Sequence, residues 1–219
     1  MFKLGCHVSI RNGFEEAAST AHTLGCGAYQ YFPKNPRSLS IKSFDAADAS
    51  RCKALSARHE MISIAHSPYP VNLATSDSAL ADVTRRSLLN DLAIADAAGS
   101  AGVVVHFGKY SGKDPLQGYK NIIKLIDEIL EEWSGSARLL IENQAGGMGT
   151  TLEELVQVRS LCHQPEKVGF CFDTCHAYAS GLWNGRTWEA VAERGRELGY
   201  WEPLAALHLE HGSPALRGI

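Results

Sequence analysis

The sequence has no long apolar run and no surplus of positive charge. None of its apolar stretches approaches the roughly 20 residues that a membrane-spanning helix needs, so we expect no membrane association. The formal net charge of the 219 residues is -3. The overall charge therefore gives no sign of nucleic-acid binding, and any contact with DNA requires a local basic patch.

Cysteine is present but not in paired motifs. The six cysteines include no Cys-x-x-Cys pair. The first residues, Met-Phe-Lys-Leu-Gly-Cys-His, lack the charged region and apolar run of a secretory signal. We therefore expect reduced thiols in a cytoplasmic protein. The hydrophobic content of 45% suits one globular domain that spans residues 1–219.

Apolar runs alternate with amphipathic segments along the whole chain. Val103–Val105 is the clearest strand because it is β-branched throughout. The first helix is expected to begin at a cap on Asn12 and to end near Leu24. Alternation of this kind predicts a parallel sheet with helices outside, and about seven strands are present.

The even length of these units favours an α/β barrel of the TIM (β/α)8 type. A complete barrel typically needs about 250 residues, so we expect an incomplete one with about seven strands. A doubly wound open sheet is the alternative. Both folds place ligands at the carboxyl ends of the strands.

Five predicted strands end on a side chain of a type that binds metal ions. These residues are His66, His106, Glu142, Asp173 and His208. A single histidine at a strand end is more often structural, but the recurrence at five strand ends predicts one metal-lined pocket. Imidazoles together with carboxylates suit Zn²⁺ or Mn²⁺ better than Mg²⁺ or Ca²⁺. His176 follows Asp173 by one helical turn and can point into the same pocket.

Loops on the same predicted face carry cations and one rigid aromatic residue. The cations are Lys34, Arg37, Lys109 and Lys113. They can contact phosphates, although ordinary solvated loop charge is an equal alternative. Tyr69 lies between two prolines and can either stack on a sugar or base or pack against its neighbours.

Five segments, in this order along the chain, resemble the endonuclease IV family of apurinic/apyrimidinic endonucleases. They are His7-Val-Ser, Phe32-Pro-Lys-Asn-Pro-Arg37, His66-Ser-Pro-Tyr-Pro-Val-Asn-Leu73, Glu142-Asn-Gln-Ala-Gly146 and Asp173-Thr-Cys-His-Ala177. The resemblance extends from residue 3 to about residue 208. It implies an eight-stranded xylose-isomerase-like barrel that holds up to three zinc ions. It also implies cleavage on the 5′ side of abasic sites in double-stranded DNA, a step of base excision repair.

The resemblance also assigns roles to residues of this chain. His66 and His106 would bind one zinc ion, and Glu142 would bridge it to a second ion that Asp173 and His208 also hold. Glu142 is therefore the expected catalytic residue, and His176 would belong to the third ion. The expected DNA-binding residues are Lys34, Asn35, Arg37, Tyr69 and Lys109. The abasic nucleotide would be turned out of the base stack into the pocket.

The chain departs from the family pattern after the seventh strand. The family continues with an Asp-x-His pair and an eighth strand that ends in a glutamate ligand, whereas this chain reads His208-Leu-Glu-His-Gly212. We therefore expect a C-terminally shortened barrel with fewer ions, unless Glu210 or His211 substitutes as a ligand. Open edges at the first and seventh strands would favour oligomerisation. Pro70 stands where a leucine wedge is usual, so we expect weaker insertion into the minor groove.

Two other functions compete with the nuclease hypothesis. A sugar isomerase or epimerase on the same barrel would use one divalent ion with acid and base residues. The loop with Lys34, Asn35 and Arg37 argues against it. A shortened chain that binds DNA or metal without completing catalysis is the other alternative.

Overall fold

The computed structural model describes residues 2–209, so the suggested ligands Glu210 and His211 lie outside the described residues. Seven parallel strands are hydrogen-bonded side by side in chain order. The strands are β1 (Gly5–His7), β2 (Ala28–Tyr31), β3 (Ile62–His66), β4 (Gly102–Val105), β5 (Arg138–Glu142), β6 (Val168–Asp173) and β7 (Leu204–His208). The strand order never reverses, which excludes the doubly wound alternative. Over residues 2–209 the architecture is the predicted one, seven strands of an α/β barrel of the TIM type with no eighth strand in that range.

Helices join successive strands and cover the outside of the sheet. They are α1 (Phe14–Thr23), α2 (Ala46–Arg58), α3 (Ser78–Ala97), α4 (Pro115–Glu132), α5 (Leu152–Leu161), α6 (Thr174–Ser180) and α7 (Glu189–Glu197). A short 3-10 turn, Pro165–Lys167, precedes β6. No helix within residues 2–209 combines the length and the apolar character that crossing a membrane requires.

Side chains of each strand alternate between the barrel interior and the helix layer, because successive residues of a strand point to opposite faces. On β4, Val103 and Val105 pack in the large core under the helices. Val104 between them belongs to a small interior core with Ile64, Leu140 and Cys171. The interior row of each strand therefore leads to a position at its carboxyl end that faces the mouth of the barrel.

The start of α1 corrects one prediction, because Asn12 does not cap this helix. The cap position is Gly13, whose φ of 113° requires glycine. The Asp48 carboxylate accepts hydrogen bonds from the backbone N–H of Phe14 (2.6 Å) and of Glu15 (3.3 Å). The capping group comes from α2, so local sequence around Asn12 could not reveal it.

Aromatic packing holds α7 and the approach to β7 against β6. The ring of Tyr200 stacks on that of Phe170, with centroids 4.3 Å apart. Phe172 meets the edge of Trp188 at 5.3 Å and also contacts Trp201 at 5.9 Å. Contacts of this kind add to the burial of large rings. They position β7, and with it His208, beside β6.

Candidate metal centre

Every one of the seven strands delivers a polar side chain to the carboxyl-end mouth of the barrel. These residues are His7, Gln30, His66, His106, Glu142, Asp173 and His208, and all of them line a cavity of about 800 Å³. The strand register explains their convergence, since His7 pairs with Gln30 and Asp173 pairs with His208 on neighbouring strands. The five strand-end residues predicted from the sequence therefore share one pocket.

Glu142 is the centre of this cluster. Its side chain is 1% exposed, and its two carboxylate oxygens face four imidazoles. Oε2 lies 3.2 Å from His106 Nε2 and 3.7 Å from His66 Nε2. Oε1 lies 3.0 Å from His208 Nδ1 and 3.5 Å from His176 Nδ1. Burial raises the pKa of Glu142, but the imidazoles outweigh burial and hold the pKa well below its ordinary value. Glu142 is therefore an ionised carboxylate.

Backbone carbonyls fix the orientation of two of the histidine rings. His66 Nδ1 is 2.8 Å from the carbonyl oxygen of Ser67, and His176 Nδ1 is 2.9 Å from that of Asn143. A ring that donates one N–H to a carbonyl keeps its other nitrogen for a metal ion. Burial lowers the pKa of His176, but the charges of Glu142 and Asp173 outweigh it and raise the pKa to about 9.

The side chain of Asn143 holds the backbone of Asp173 at the end of β6. The side-chain oxygen of Asn143 accepts from Asp173 N–H at 2.7 Å, and the Asn143 amide donates to the Asp173 carbonyl at 2.9 Å. The Asp173 carboxylate caps α6 by accepting from His176 N–H at 2.6 Å. It also lies 3.7 Å from the rings of both His176 and His208. Burial raises the pKa of this carboxyl.

The cluster fits divalent cations. The structure contains three groups of potential metal ligands. Within each group the ligand atoms lie within 4.8 Å of one another, and Glu142 belongs to all three. The groups are His66 with His106, Cys171 with His208, and Asp173 with His176, each together with Glu142. Glu142 Oε2 is buried and makes no hydrogen bond within the described residues, although buried polar atoms are normally satisfied. Nitrogen and carboxylate donors around such an atom suit Zn²⁺ or Mn²⁺.

Cys171 is the exception within these groups. Its thiol is buried in the barrel interior. Burial, and then the negative charges of Glu142 and Asp173, raise the pKa of the thiol well above its ordinary value. Cys171 packs with Ile64, Val104 and Leu140 beneath the cluster, two residues before Asp173 on the same face of β6. Asp173, at the strand end, lies beside His208 with Oδ2 3.7 Å from Nδ1.

The prediction for Lys34 is wrong. The Lys34 side chain is 2% exposed and turns away from the mouth toward α3. Its Nζ lies 3.0 Å from Asp91 Oδ1 and donates to the carbonyl of Ser87 at 2.7 Å. In the sequence Lys34 stands between Pro33 and Asn35 in a loop, and nothing in these neighbours distinguishes a buried lysine from a solvated one. Lys34 fixes the loop rather than facing DNA.

The other predicted DNA-binding residues lie on exposed loops. Asn35 Oδ1 accepts from Arg37 N–H at 3.0 Å, which shapes the turn that carries the exposed Arg37 side chain. The N–H of Tyr69 donates to the Pro36 carbonyl at 2.8 Å, so the loops after β2 and β3 are tied together. Tyr69 is 69% exposed and lines the cavity, as does Lys109.

Three aromatic or polar residues of the pocket, among others, were not predicted from the sequence: His7, Gln30 and Phe32. His7 ends β1 and obeys the same strand-end rule, so that signal was available. Gln30 is an uncharged residue inside a short strand and gave no signal. The Phe32 ring contacts His7, His66 and Tyr69, with centroids 4.9, 5.3 and 5.4 Å apart. It joins the histidines to the exposed loop.

The fold and the pocket define a class: α/β barrels that assemble a cluster of histidines and carboxylates at the carboxyl ends of their strands. The sequence profile of the xylose isomerase-like TIM barrel family matches residues 18–216. The chain belongs to the endonuclease IV family within these barrels.

Similar proteins place the chain in that family. A probable endonuclease 4 of Symbiobacterium thermophilum is 45% identical over 219 aligned positions, which are 96% of this chain and 79% of the relative. The crystal structure of endonuclease IV from Thermus thermophilus is similar with a TM-score of 0.81 and 29% identity, over 95% of this chain and 77% of that one. A D-tagatose 3-epimerase-like protein, with 17% identity and a TM-score of 0.64 over 98% and 93% of the two chains, shares the fold alone.

Proposed function

We propose that this protein is a metal-dependent apurinic/apyrimidinic endonuclease that hydrolyses the phosphodiester on the 5′ side of abasic sites in double-stranded DNA during base excision repair. One observation carries the proposal: the buried Glu142 carboxylate lies among four imidazoles, with one oxygen that makes no hydrogen bond within the described residues, in a cavity lined also by the exposed Tyr69 and Lys109. Membership in the endonuclease IV family supports the same reaction. The sugar-epimerase alternative has only the shared fold in its favour.

The residues of the cluster divide naturally between two neighbouring ion positions. His66 and His106 face Glu142 Oε2. His208 faces Glu142 Oε1, with Asp173 beside it. His176 Nδ1 donates to the Asn143 carbonyl, so its Nε2 would serve a third ion. Divalent ions bound there, zinc in our proposal, would supply Lewis-acid activation of water and neutralisation of phosphate charge. Glu142 would bridge the two positions.

The chain's own residues would position the DNA. The cavity of about 800 Å³ has room for an extruded abasic sugar phosphate, and Tyr69 is one of its lining residues. Tyr69 is exposed and its backbone is fixed to Pro36. It would stack on the bases beside the gap that the extruded nucleotide leaves. Arg37, Asn35 and Lys109 would contact backbone phosphates, which fixes register without reading sequence.

The test is nicking of a duplex that contains one synthetic abasic site. We expect cleavage on its 5′ side that a chelator abolishes and added Zn²⁺ or Mn²⁺ restores. An undamaged duplex should stay intact. The variant Glu142→Gln should lose activity, whereas Glu16→Gln on the exposed face of α1 should behave as wild type. Absence of metal-dependent nicking by a folded, metal-loaded protein would contradict the proposal.

A further inference from the structure

Gln30 occupies a junction between the first, second and last described strands. It lies on β2 and faces the mouth beside His7, its neighbour in register on β1. Its Oε1 lies 2.7 Å from His208 Nε2 on β7. Its Nε2 lies 3.3 Å from His7 Nδ1. Within residues 2–209 no backbone pairing joins β7 to β1, so this side-chain bridge crosses the open side of the barrel.

The chemistry of the bridge fixes the proton positions. An amide oxygen only accepts hydrogen bonds, so the proton in the contact between Gln30 and His208 belongs to His208 Nε2. The other ring nitrogen, Nδ1, then faces Glu142 Oε1 at 3.0 Å and Asp173 Oδ2 at 3.7 Å. Two carboxylates facing Nδ1 require positive charge there, either a proton on Nδ1 that donates to Glu142 or a bound metal ion that replaces this proton. The bridge therefore directs Nδ1 to the place where an ion would bind.

We infer that Gln30 is a positioning residue of the metal centre, whose amide oxygen holds His208 with Nδ1 directed at the ion shared with Glu142 and Asp173. The inference rests on the metal centre of the proposed function. Gln30 itself touches neither ion nor DNA in this role. It acts through His208, as hydrogen-bond acceptors behind histidine ligands generally do. Its amide group also donates to His7 Nδ1, which ties the bridge to the edge strand β1.

Zinc affinity measured by competition with a chromophoric chelator tests the inference without any nuclease assay. We expect Gln30→Ala to weaken zinc binding by about tenfold to a hundredfold, the usual effect of removing the acceptor behind a histidine ligand. Gln30→Glu keeps an acceptor for His208 and should retain wild-type affinity. Gln117→Ala removes an exposed amide that bonds to Asn121 on α4, and it should have no effect. Equal affinities of wild type and Gln30→Ala would overturn the inference.

A double-variant comparison separates action through His208 from a general effect on folding. In a His208→Ala background, Gln30→Ala should cause no further loss of zinc affinity, because its target is already gone. An undiminished loss in that background would overturn the inference. Thermal unfolding of each variant shows whether the fold is intact.

Nitrogen NMR of the zinc-loaded wild-type protein provides a measurement that needs no variant. The expected result is a protonated Nε2 and a ligated Nδ1 on His208. The reverse pattern would contradict the role of Gln30. A protein that shows these zinc results yet fails to nick abasic DNA would refute only the proposed function. A protein that binds no zinc would refute both.

Discussion

The buried ion pair between Lys34 and Asp91 gives a prediction whose size follows from the structure. The two side chains are 2% and 0% exposed, and Nζ lies 3.0 Å from Oδ1. Removing one partner of such a pair leaves the other buried without its partner, either as an unpaired charge or as a carboxyl forced to take up a proton, and costs about 3–5 kcal/mol. We therefore expect Lys34→Met to lower the free energy of unfolding by that amount near pH 8. For a domain of this size the loss lowers Tm by about 6 to 20 °C, at about 2–4 °C per kcal/mol.

The cost should depend on pH in a defined direction. Burial raises the pKa of Asp91 to about 7, even though Lys34 lowers it. Without Lys34 the pKa rises further. A carboxyl whose pKa is raised on folding loses stability as the pH rises, because the unfolded chain releases its proton first. Below about pH 7, the wild-type pKa of Asp91, the Asp91 carboxyl is protonated in the folded wild type and in the folded variant. The difference in stability should therefore grow by up to about 1.4 kcal/mol between pH 7 and pH 8.

Urea denaturation of wild type and variant at pH 6 and pH 8 measures this effect. Lys124→Met is the matched control, because Lys124 pairs with Glu128 at 3.7 Å on the exposed face of α4. Such a pair contributes about 0.3–0.5 kcal/mol. The double variant Lys34→Met/Asp91→Leu should recover part of the stability, since it buries no charge. The reasoning would be refuted if Lys34→Met were no more destabilising than Lys124→Met. It would also be refuted if the loss of stability in Lys34→Met were the same at pH 6 and pH 8.

Three further predictions concern the fold and the DNA face. Asp48→Ala should lower the unfolding free energy by about 1 kcal/mol because it removes the cap of α1. Asn12→Ala should change the unfolding free energy by no more than about 0.5 kcal/mol. Chemical denaturation compares the two variants, and equal losses of stability would contradict the role of Asp48 as the cap. Leu140→Ala empties part of the barrel interior and should cost about 2–5 kcal/mol by the same measurement, so a smaller loss would mean that the interior collapses. Tyr69→Ala should weaken binding to an abasic duplex by about 1–3 kcal/mol in a fluorescence titration. Its zinc content should be unchanged, and a fall in zinc would place Tyr69 in the metal cluster instead.

Patterns that repeat along the chain were sufficient to predict the centre of the pocket. A strand ends on His66, His106, Glu142, Asp173 or His208, and parallel strands bring their carboxyl ends together. These positions are set by alternation along a strand, which is readable from local sequence. The same rule would also have identified His7.

Contacts between distant segments were not predictable in this way. Asp48 caps a helix that begins at Phe14, and Asp91 pairs with a lysine in the loop after β2. Gln30 contacts His208, 178 positions further along the chain. Each contact depends on how helices and strands pack, and no periodicity marks it. The number of ions held and the identity of the metal depend on such contacts as well.

Strand β1 is three residues long and exposed throughout, and among residues 2–209 its one strand partner is β2. Segments with so little burial open locally at a small fraction of the global unfolding free energy. The amide protons of Gly5–His7 should therefore exchange with solvent earlier than those of β4 or β5. Each such opening withdraws His7 from the Gln30 amide and loosens the bridge to His208. Local opening of β1 would thus control how firmly Gln30 holds His208 at the mouth of the barrel.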